Sequence, residues 1–157
     1  MVEQKEHRLG DEHPLSDKAQ LVLLAFLICI WIIDSFVLKL YIITSVPLSF
    51  KLITALILAA FGVYLIENSH RLVIDAEEPE LITTGVYSLT RHPMYLGIML
   101  FELGIVVTTL SIPALLFWVL IFLAYNQFAA FEEGSLIRNL GDDYHAYMSR
   151  VKRWGIL

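Results

Sequence analysis

Four long apolar runs, separated by short polar segments, constrain the fold of this chain more than any other feature. A helix needs about 20 mostly apolar residues to cross a bilayer, so the runs predict transmembrane helices at residues 20–43, 50–66, 94–110 and 112–131. Of the 157 residues, 57% are hydrophobic and 17% are charged, against about 45–50% and about 25% in a typical soluble domain. The sequence therefore predicts an all-α integral membrane protein and argues against a soluble enzyme.

The polar segments define the predicted organisation. Residues 1–19 lack the basic start and short apolar run of a cleavable signal peptide, so we expect them to form a tail and the first apolar run to be retained as a membrane anchor. Residues 20–157 are predicted to form a single membrane domain. Apolar residues at helical spacing in the last segment predict an amphipathic helix lying on the membrane, interrupted at Gly141. These residues are Leu136, Ile137, Leu140, Tyr144, Tyr147, Met148 and Val151.

Basic residues are distributed unevenly between the two sides that this arrangement creates. With four spans, the tail, residues 67–93 and residues 132–157 share one side, which holds nine of the 11 Lys and Arg residues. The nine are Lys5, Arg8, Lys18, Arg71, Arg91, Arg138, Arg150, Lys152 and Arg153. The positive-inside rule then predicts a multi-pass protein with both termini and the functional segments in the cytoplasm. The net charge of −5 argues against a nucleic-acid partner, and the histidines show no metal-ligand spacing.

The loop before the third span carries the most informative motif, LITTGVYSLTRHPMYLG at residues 81–97. Pro93 suits the first position of a helix, where its missing N–H costs nothing. The unpaired N–H groups of that first turn favour an anion, and Arg91 and His92 lie beside them. On the residues alone, an alternative stays open: Arg91 and Tyr95 are equally typical of interfacial anchors at a helix end.

A second motif follows the predicted hairpin of the last two spans. GVYxxxRHPxYxG and then EExxLxxxxGxxYxxYxxxVxR, from Leu81 to Arg153, resemble the isoprenylcysteine carboxyl methyltransferase family and the wider group of small membrane methyltransferases that includes phospholipid N-methyltransferases. The resemblance implies S-adenosylmethionine as methyl donor, bound between the cytoplasmic segments and the last two spans. The cofactor-binding residues that it implies are Leu81 and Ile82, largely through backbone, with Tyr87, His92, Pro93, Met94, Tyr95 and Glu132.

The acceptor half of the resemblance departs from the family pattern. Prenylcysteine enzymes have a substrate-binding arginine one helical turn before the acidic pair, where this chain has Phe128. Ionisable residues inside a span are functional candidates, and Glu102 lies one heptad after Tyr95 on the same helix face. Interhelical hydrogen bonding is the alternative reading for such polar residues. The candidate acceptor residues are Glu102, Tyr125, Phe128 and Arg138.

These observations predict a membrane methyltransferase that moves a methyl group from S-adenosylmethionine to a lipophilic acceptor entering from the bilayer. Displacement from a sulfonium needs positioning more than acid catalysis, so no catalytic residue is assigned. Two alternatives stay open. One is N- or S-methylation of a phospholipid or small molecule; the other is a non-enzymatic membrane scaffold that retains the motif.

Overall fold

A computed structural model describes residues 16–39, 43–75 and 81–155 of the chain. The described residues form helices and no strands, which confirms the all-α fold class. The predicted boundary at residue 19 stays a prediction, because most of the tail, residues 1–15, lies outside the described part. The helices are α1 (Ser16–Ile32), α2 (Leu48–Ile74), α3 (Pro93–Val107), α4 (Ile112–Leu140) and α5 (Asp142–Arg150), with a π-helical turn at Ile33–Leu38 and a 3-10 turn at Gly85–Ser88.

Three of the helices are long and apolar enough to cross a membrane. They are Ser16–Leu38 with 23 residues, Leu48–Ile74 with 27 and Ile112–Leu140 with 29. The chain is therefore an integral membrane protein. The α3 helix is mostly apolar, but its 15 residues extend only about 22 Å, less than the hydrocarbon core of about 30 Å. The fourth span thus stays a prediction.

The α2 and α3 helices form an antiparallel pair whose backbones approach closely at small residues. A Cβ atom added at Gly62 would lie 2.5 Å from the carbonyl oxygen of Gly97, and one added at Gly104 would lie 3.0 Å from that of Ala55. Small residues allow such contact between helices in a membrane. This pairing fixes α3, and with it the RHPMY motif at its start, against the end of α2.

The α4 helix packs against α1 and α3 and completes the core. The buried apolar residues of this core come from all three helices: Leu27, Tyr95, Met99, Val106, Ala114, Ile121, Tyr125 and Ala129. The predicted tight turn between α3 and α4 is present, since the Ser111 hydroxyl accepts a hydrogen bond from the N–H of Ala114 and Pro113 occupies the first turn of α4. The Ser111 hydroxyl also donates to Asp34 Oδ2 at 2.7 Å, which ties this turn to the end of α1.

The bounds of the three long helices differ from those of the apolar runs that predicted them. The first begins at Ser16, ahead of the predicted start at residue 20, and its π-helical turn ends at Leu38, short of the predicted end at residue 43. The α2 helix continues past residue 66 to Ile74, and α4 continues past residue 131 to Leu140. The α4 helix ends where Gly141 adopts a positive φ of 53°, a backbone conformation that glycine adopts without steric cost. The apolar residues from 136 to 140 therefore belong to α4. In α5, Tyr144 and Tyr147 are buried within the protein; contact of α5 with the membrane stays a prediction.

Candidate functional site

The loop that precedes α3 is anchored on both sides. Gly85 has a φ of 58°, and a Cβ atom there would meet the Leu72 side chain at 2.8 Å. This glycine therefore allows the loop to turn closely over the end of α2. The Tyr87 hydroxyl lies 2.9 Å from Ser69 Oγ, and the Tyr147 hydroxyl donates to the Tyr87 carbonyl oxygen at 2.6 Å. Burial raises the pKa of Tyr147 to about 12, so its hydroxyl keeps the proton that this hydrogen bond needs.

A buried ion cluster joins the loop to α4. Glu133 accepts from Arg91 Nε at 3.0 Å and from Arg153 Nη2 at 2.6 Å, and its Oε1 lies 3.1 Å from His92 Nε2. The side chain of Glu133 is only 3% exposed. We call these four residues the Glu133 cluster. Buried charges of this kind are stable only when each is paired and hydrogen-bonded, and Glu133 meets that condition through three partners.

The chain after α5 completes the cluster. The Arg91 N–H donates to the Lys152 carbonyl oxygen at 3.2 Å, and the Thr90 hydroxyl donates to that of Arg153 at 2.6 Å. Further along, Asn126 Oδ1 accepts from Arg153 Nη1 at 2.9 Å and from Trp154 Nε1 at 3.2 Å. The segment from Val151 to Trp154 thus connects the loop before α3 to the middle of α4.

His92 lies between two carboxylates. Its Nε2 faces Glu133, and its Nδ1 lies 3.5 Å from Glu132 Oε2. Burial of the ring lowers the pKa of His92, but the hydrogen bonds to Glu132 and Glu133 outweigh burial and hold the pKa above its usual range. Its ring also stacks on Tyr95, with centroids 5.6 Å apart. These contacts favour a charged imidazolium fixed in one orientation.

A depression opens beside His92 at the first turn of α3. It encloses about 250 Å³, part of which is open to solvent, and we call it the RHPMY pocket. Its lining residues are Tyr87, Arg91, His92, Pro93, Met94, Tyr95 and Glu132. Six of the eight residues expected to bind cofactor therefore lie around one pocket. Leu81 and Ile82 are half-buried and do not line it, so their cofactor contacts stay predictions.

The four candidate acceptor residues are not all in one place. Glu102 and Tyr125 are buried between α3 and α4. The ring of Phe128 packs against that of Tyr125, with centroids 6.1 Å apart. Arg138 is exposed near the end of α4. Three of the four thus belong to the region beneath the RHPMY pocket, and Arg138 does not.

Sequence reasoning missed the central member of the Glu133 cluster. The spacing of seven residues between Tyr125 and Glu132 predicts that these two share a helix face, whereas the buried face of α4 runs through Tyr125, Ala129 and Glu133 at spacings of four. Eight residues rotate about 80° past two full turns, against about 20° short of them for seven, so position 133 still falls within the wide buried stripe of a packed helix, and that was the available signal. Arg153 ends the matched motif, and Asn126 is a polar residue of a span for which interhelical hydrogen bonding is expected. Neither signal gives their contacts with Glu133 and Trp154, which depend on how the chain folds back after α5.

The described residues contain no group of three or more His, Cys, Asp or Glu side chains that could hold a metal ion.

The fold and the site define a helical membrane protein with a charged pocket where the loop before α3 meets α4. Residues 50–143 match the family described as phospholipid methyltransferase. The match covers more than half of the chain, which therefore belongs to this family.

Two curated relatives overlap the same region. The chain is 32% identical over 72 residues to a protein-S-isoprenylcysteine O-methyltransferase of Schizosaccharomyces pombe, covering 45% of this chain and 30% of that protein. It is 33% identical over 85 residues to protein-S-isoprenylcysteine O-methyltransferase B of Arabidopsis thaliana, covering 53% of this chain and 43% of that protein. The chain thus aligns with less than half the length of either relative.

Proposed function

We propose that the protein is a membrane-embedded methyltransferase that uses S-adenosylmethionine to methylate a lipophilic acceptor. The observation that carries the proposal is the RHPMY pocket, where Tyr87, the first turn of α3 and Glu132 lie around one space. The chain belongs to the phospholipid methyltransferase family, which supports the same activity, and the names of the two relatives support it as well.

The residues of the pocket fit the chemistry of S-adenosylmethionine. Its carboxylate suits the N-terminus of α3, where unpaired N–H groups and the helix dipole favour an anion, and the charged ring of His92 adds to that preference. Its ammonium suits Glu132, whose side chain is 27% exposed and so remains accessible. The faces of Tyr87 and Tyr95 suit a flat adenine ring or a cationic sulfur.

When bound, S-adenosylmethionine supplies a methyl group on a positively charged sulfur. The tasks of the protein are then to bind the donor and the acceptor, to orient them toward each other and to exclude water. The Glu133 cluster and the segment from Val151 to Trp154 hold the loop residues in position. Orientation of two reactants in this way accounts for a large part of the barrier reduction in displacement reactions. The acceptor enters from the bilayer, between helices whose surfaces are apolar.

The same proposal includes a membrane topology. The α3 helix acts as a fourth, shorter span, and the loop before α3 lies with α5 on the cytoplasmic side. The basic residues that flank these segments support this orientation.

Cofactor binding is tested by calorimetric titration of the purified protein in detergent with S-adenosylmethionine. Loss of a charge-assisted hydrogen bond should weaken binding by more than about 1 kcal/mol in both Glu132→Ala and His92→Ala. Glu67→Ala is the matched control, because Glu67 is an exposed glutamate on α2 whose ion pair is local. Gel filtration checks the fold of each variant. Wild-type affinity in both pocket variants would place the cofactor elsewhere.

A further inference from the structure

Two polar side chains between α3 and α4 lack hydrogen-bond partners among the described residues. They are Glu102, through both carboxylate oxygens, and Tyr125, through its hydroxyl. The two residues are 1% and 0% exposed. Unpaired polar groups in a membrane interior are costly and mark functional sites. This pair therefore indicates a position where a ligand supplies the missing hydrogen bonds.

The pair adjoins the RHPMY pocket through Tyr95, which lines that pocket. Tyr125 is within electrostatic range of both Glu102 and Tyr95, and its ring meets that of Tyr95 edge-on, with centroids 5.5 Å apart. Glu102 follows Tyr95 by seven residues, which places it about 10 Å deeper along α3. Its side chain leans back toward the start of the helix, as helical side chains do. The pair thus lies beneath the pocket, on the side from which a lipid-borne acceptor arrives.

The charge of this position limits what it can bind. Its neighbours in the core are apolar and include Leu27, Met99 and Ile121. A carboxylate head placed there would find no cation among these neighbours, and burial of an unpaired charge in apolar surroundings is costly. A group that donates a hydrogen bond would satisfy both Glu102 and Tyr125.

We infer that Glu102 and Tyr125 bind the head group of the acceptor and select a head that donates a hydrogen bond, namely an amine, alcohol or thiol, over a carboxylate. This inference rests on the proposed function and names the acceptor class. Glu102 is then a specificity-determining residue, and Tyr125 positions the same head group.

Binding of matched amphiphiles tests the selection without any methyl transfer. Farnesylamine, farnesol, farnesyl thiol and farnesoic acid share one apolar chain and differ in the head group. The Trp118 indole donates to the carbonyl oxygen of Met99 at 2.9 Å, one helical turn before Glu102, so its fluorescence reports binding at the pair. In the purified wild-type protein, the three donor heads should bind at least about tenfold tighter than the carboxylate.

Substitution of Glu102 identifies the source of that preference. Glu102→Gln should weaken farnesylamine binding by about tenfold and strengthen farnesoic acid binding. Glu67→Gln makes the same change at an exposed glutamate on α2 and should leave all four affinities unchanged. It therefore controls for partition of the amphiphiles into the detergent. Equal affinity of the wild-type protein for the carboxylate and the donor heads, or an unchanged preference in Glu102→Gln, would overturn the inference.

Thermal unfolding gives an independent readout. Glu102→Leu replaces an unpaired carboxylate with an apolar side chain of similar volume, so the unliganded variant should unfold at a higher temperature while losing affinity for farnesylamine. A lower unfolding temperature would mean that the carboxylate stabilises the fold, and would overturn the inference.

Titration with S-adenosylmethionine separates this inference from the proposed function. A wild-type protein that binds S-adenosylmethionine without head-group preference overturns only the inference. One that prefers donor heads through Glu102 but does not bind S-adenosylmethionine supports the head-group site and overturns the proposed methyltransferase.

Discussion

At the scale of single residues, two adjacent glutamates have different environments. Successive residues of a helix point about 100° apart, so Glu133 lies on the buried face of α4 with Ala129, whereas Glu132 borders the RHPMY pocket. Glu133 is held by Arg91 and Arg153, while Glu132 remains partly accessible. The sequence thus places a structural carboxylate and a ligand-accessible one side by side.

Substitution to glutamine should separate these two roles. Glu133→Gln leaves two arginines without their shared carboxylate, and the loss of one partner from a buried ion pair costs about 3–5 kcal/mol. Glu132→Gln should lower the free energy of unfolding by less than about 1 kcal/mol, because that side chain is partly solvated. Denaturant titration in detergent measures both variants. Equal destabilisation would contradict the assignment of Glu133 as the structural member.

The pKa of His92 predicts a dependence of stability on pH. Because this pKa is raised in the folded protein, the protonated ring stabilises the fold fully below the unfolded value of about 6.5. That stabilisation is lost as the pH rises through the folded pKa. The unfolding temperature should therefore fall as the pH rises above about 6.5.

The matched variant for this pH prediction is His92→Gln, whose side chain does not titrate. Its unfolding temperature, followed by differential scanning fluorimetry over the same pH range, should change less than that of the wild-type protein. Parallel profiles for the two proteins would assign the pH dependence to another group.

At the scale of elements, the contact between α2 and α3 sets the position of the site. Gly62→Ala would place a Cβ atom 2.5 Å from the Gly97 carbonyl oxygen, so the two helices must move apart. Overpacking of this kind costs about 1–3 kcal/mol. Thermal unfolding should show the loss, and calorimetry should show weaker S-adenosylmethionine binding, because α3 carries the RHPMY pocket.

Gly134→Ala is the control for this glycine prediction. Gly134 also lies inside a helix, but a Cβ atom there meets only the end of the Arg138 side chain, at 3.6 Å. Alanine should therefore stabilise α4 by up to about 1 kcal/mol. Destabilisation by both substitutions to the same extent would mean that close packing is not the cause.

The elements also show what the sequence could predict. Local chemistry predicted the start of α3 at Pro93 and the turn at Ser111, because helix capping depends on neighbouring residues. Hydropathy misjudged the ends of α2 and α4, since it reports where apolar residues stop and not where backbone hydrogen bonding stops. In the site, the resemblance of the two motifs to a known family implied six of the pocket residues, whereas the pairing of Glu133 with Arg153 needed the path of the folded chain.

At the scale of the whole molecule, the proposed topology places the two loops that flank α2 on opposite sides of the membrane. Cys29 is the single cysteine of the chain, so Cys29→Ala gives a background for labelling. In that background, Ser88→Cys and Ser149→Cys, both exposed positions, should react with an impermeant thiol reagent only from the cytoplasmic side.

The opposite loop provides the comparison for this labelling experiment. Ser45→Cys, at an exposed position before α2, should react only from the other side. Labelling of Ser45→Cys and Ser88→Cys from the same side would show that α2 does not cross the membrane. Labelling of Ser88→Cys and Ser149→Cys from different sides would show that α3 and α4 together cross it an odd number of times.

The position of Arg153 in the chain has a consequence for truncated forms of the protein. Arg153 follows Glu133 by 20 residues, so a chain that stops between the two keeps the buried carboxylate but lacks one of its two arginine partners. The loop before α3 also lacks the carbonyl oxygens of Lys152 and Arg153, to which it is tied in the finished protein. A chain interrupted within α5 therefore buries the Glu133 carboxylate with one arginine partner fewer than the full sequence provides. Its loop before α3 also lacks two of the hydrogen bonds that hold it in place.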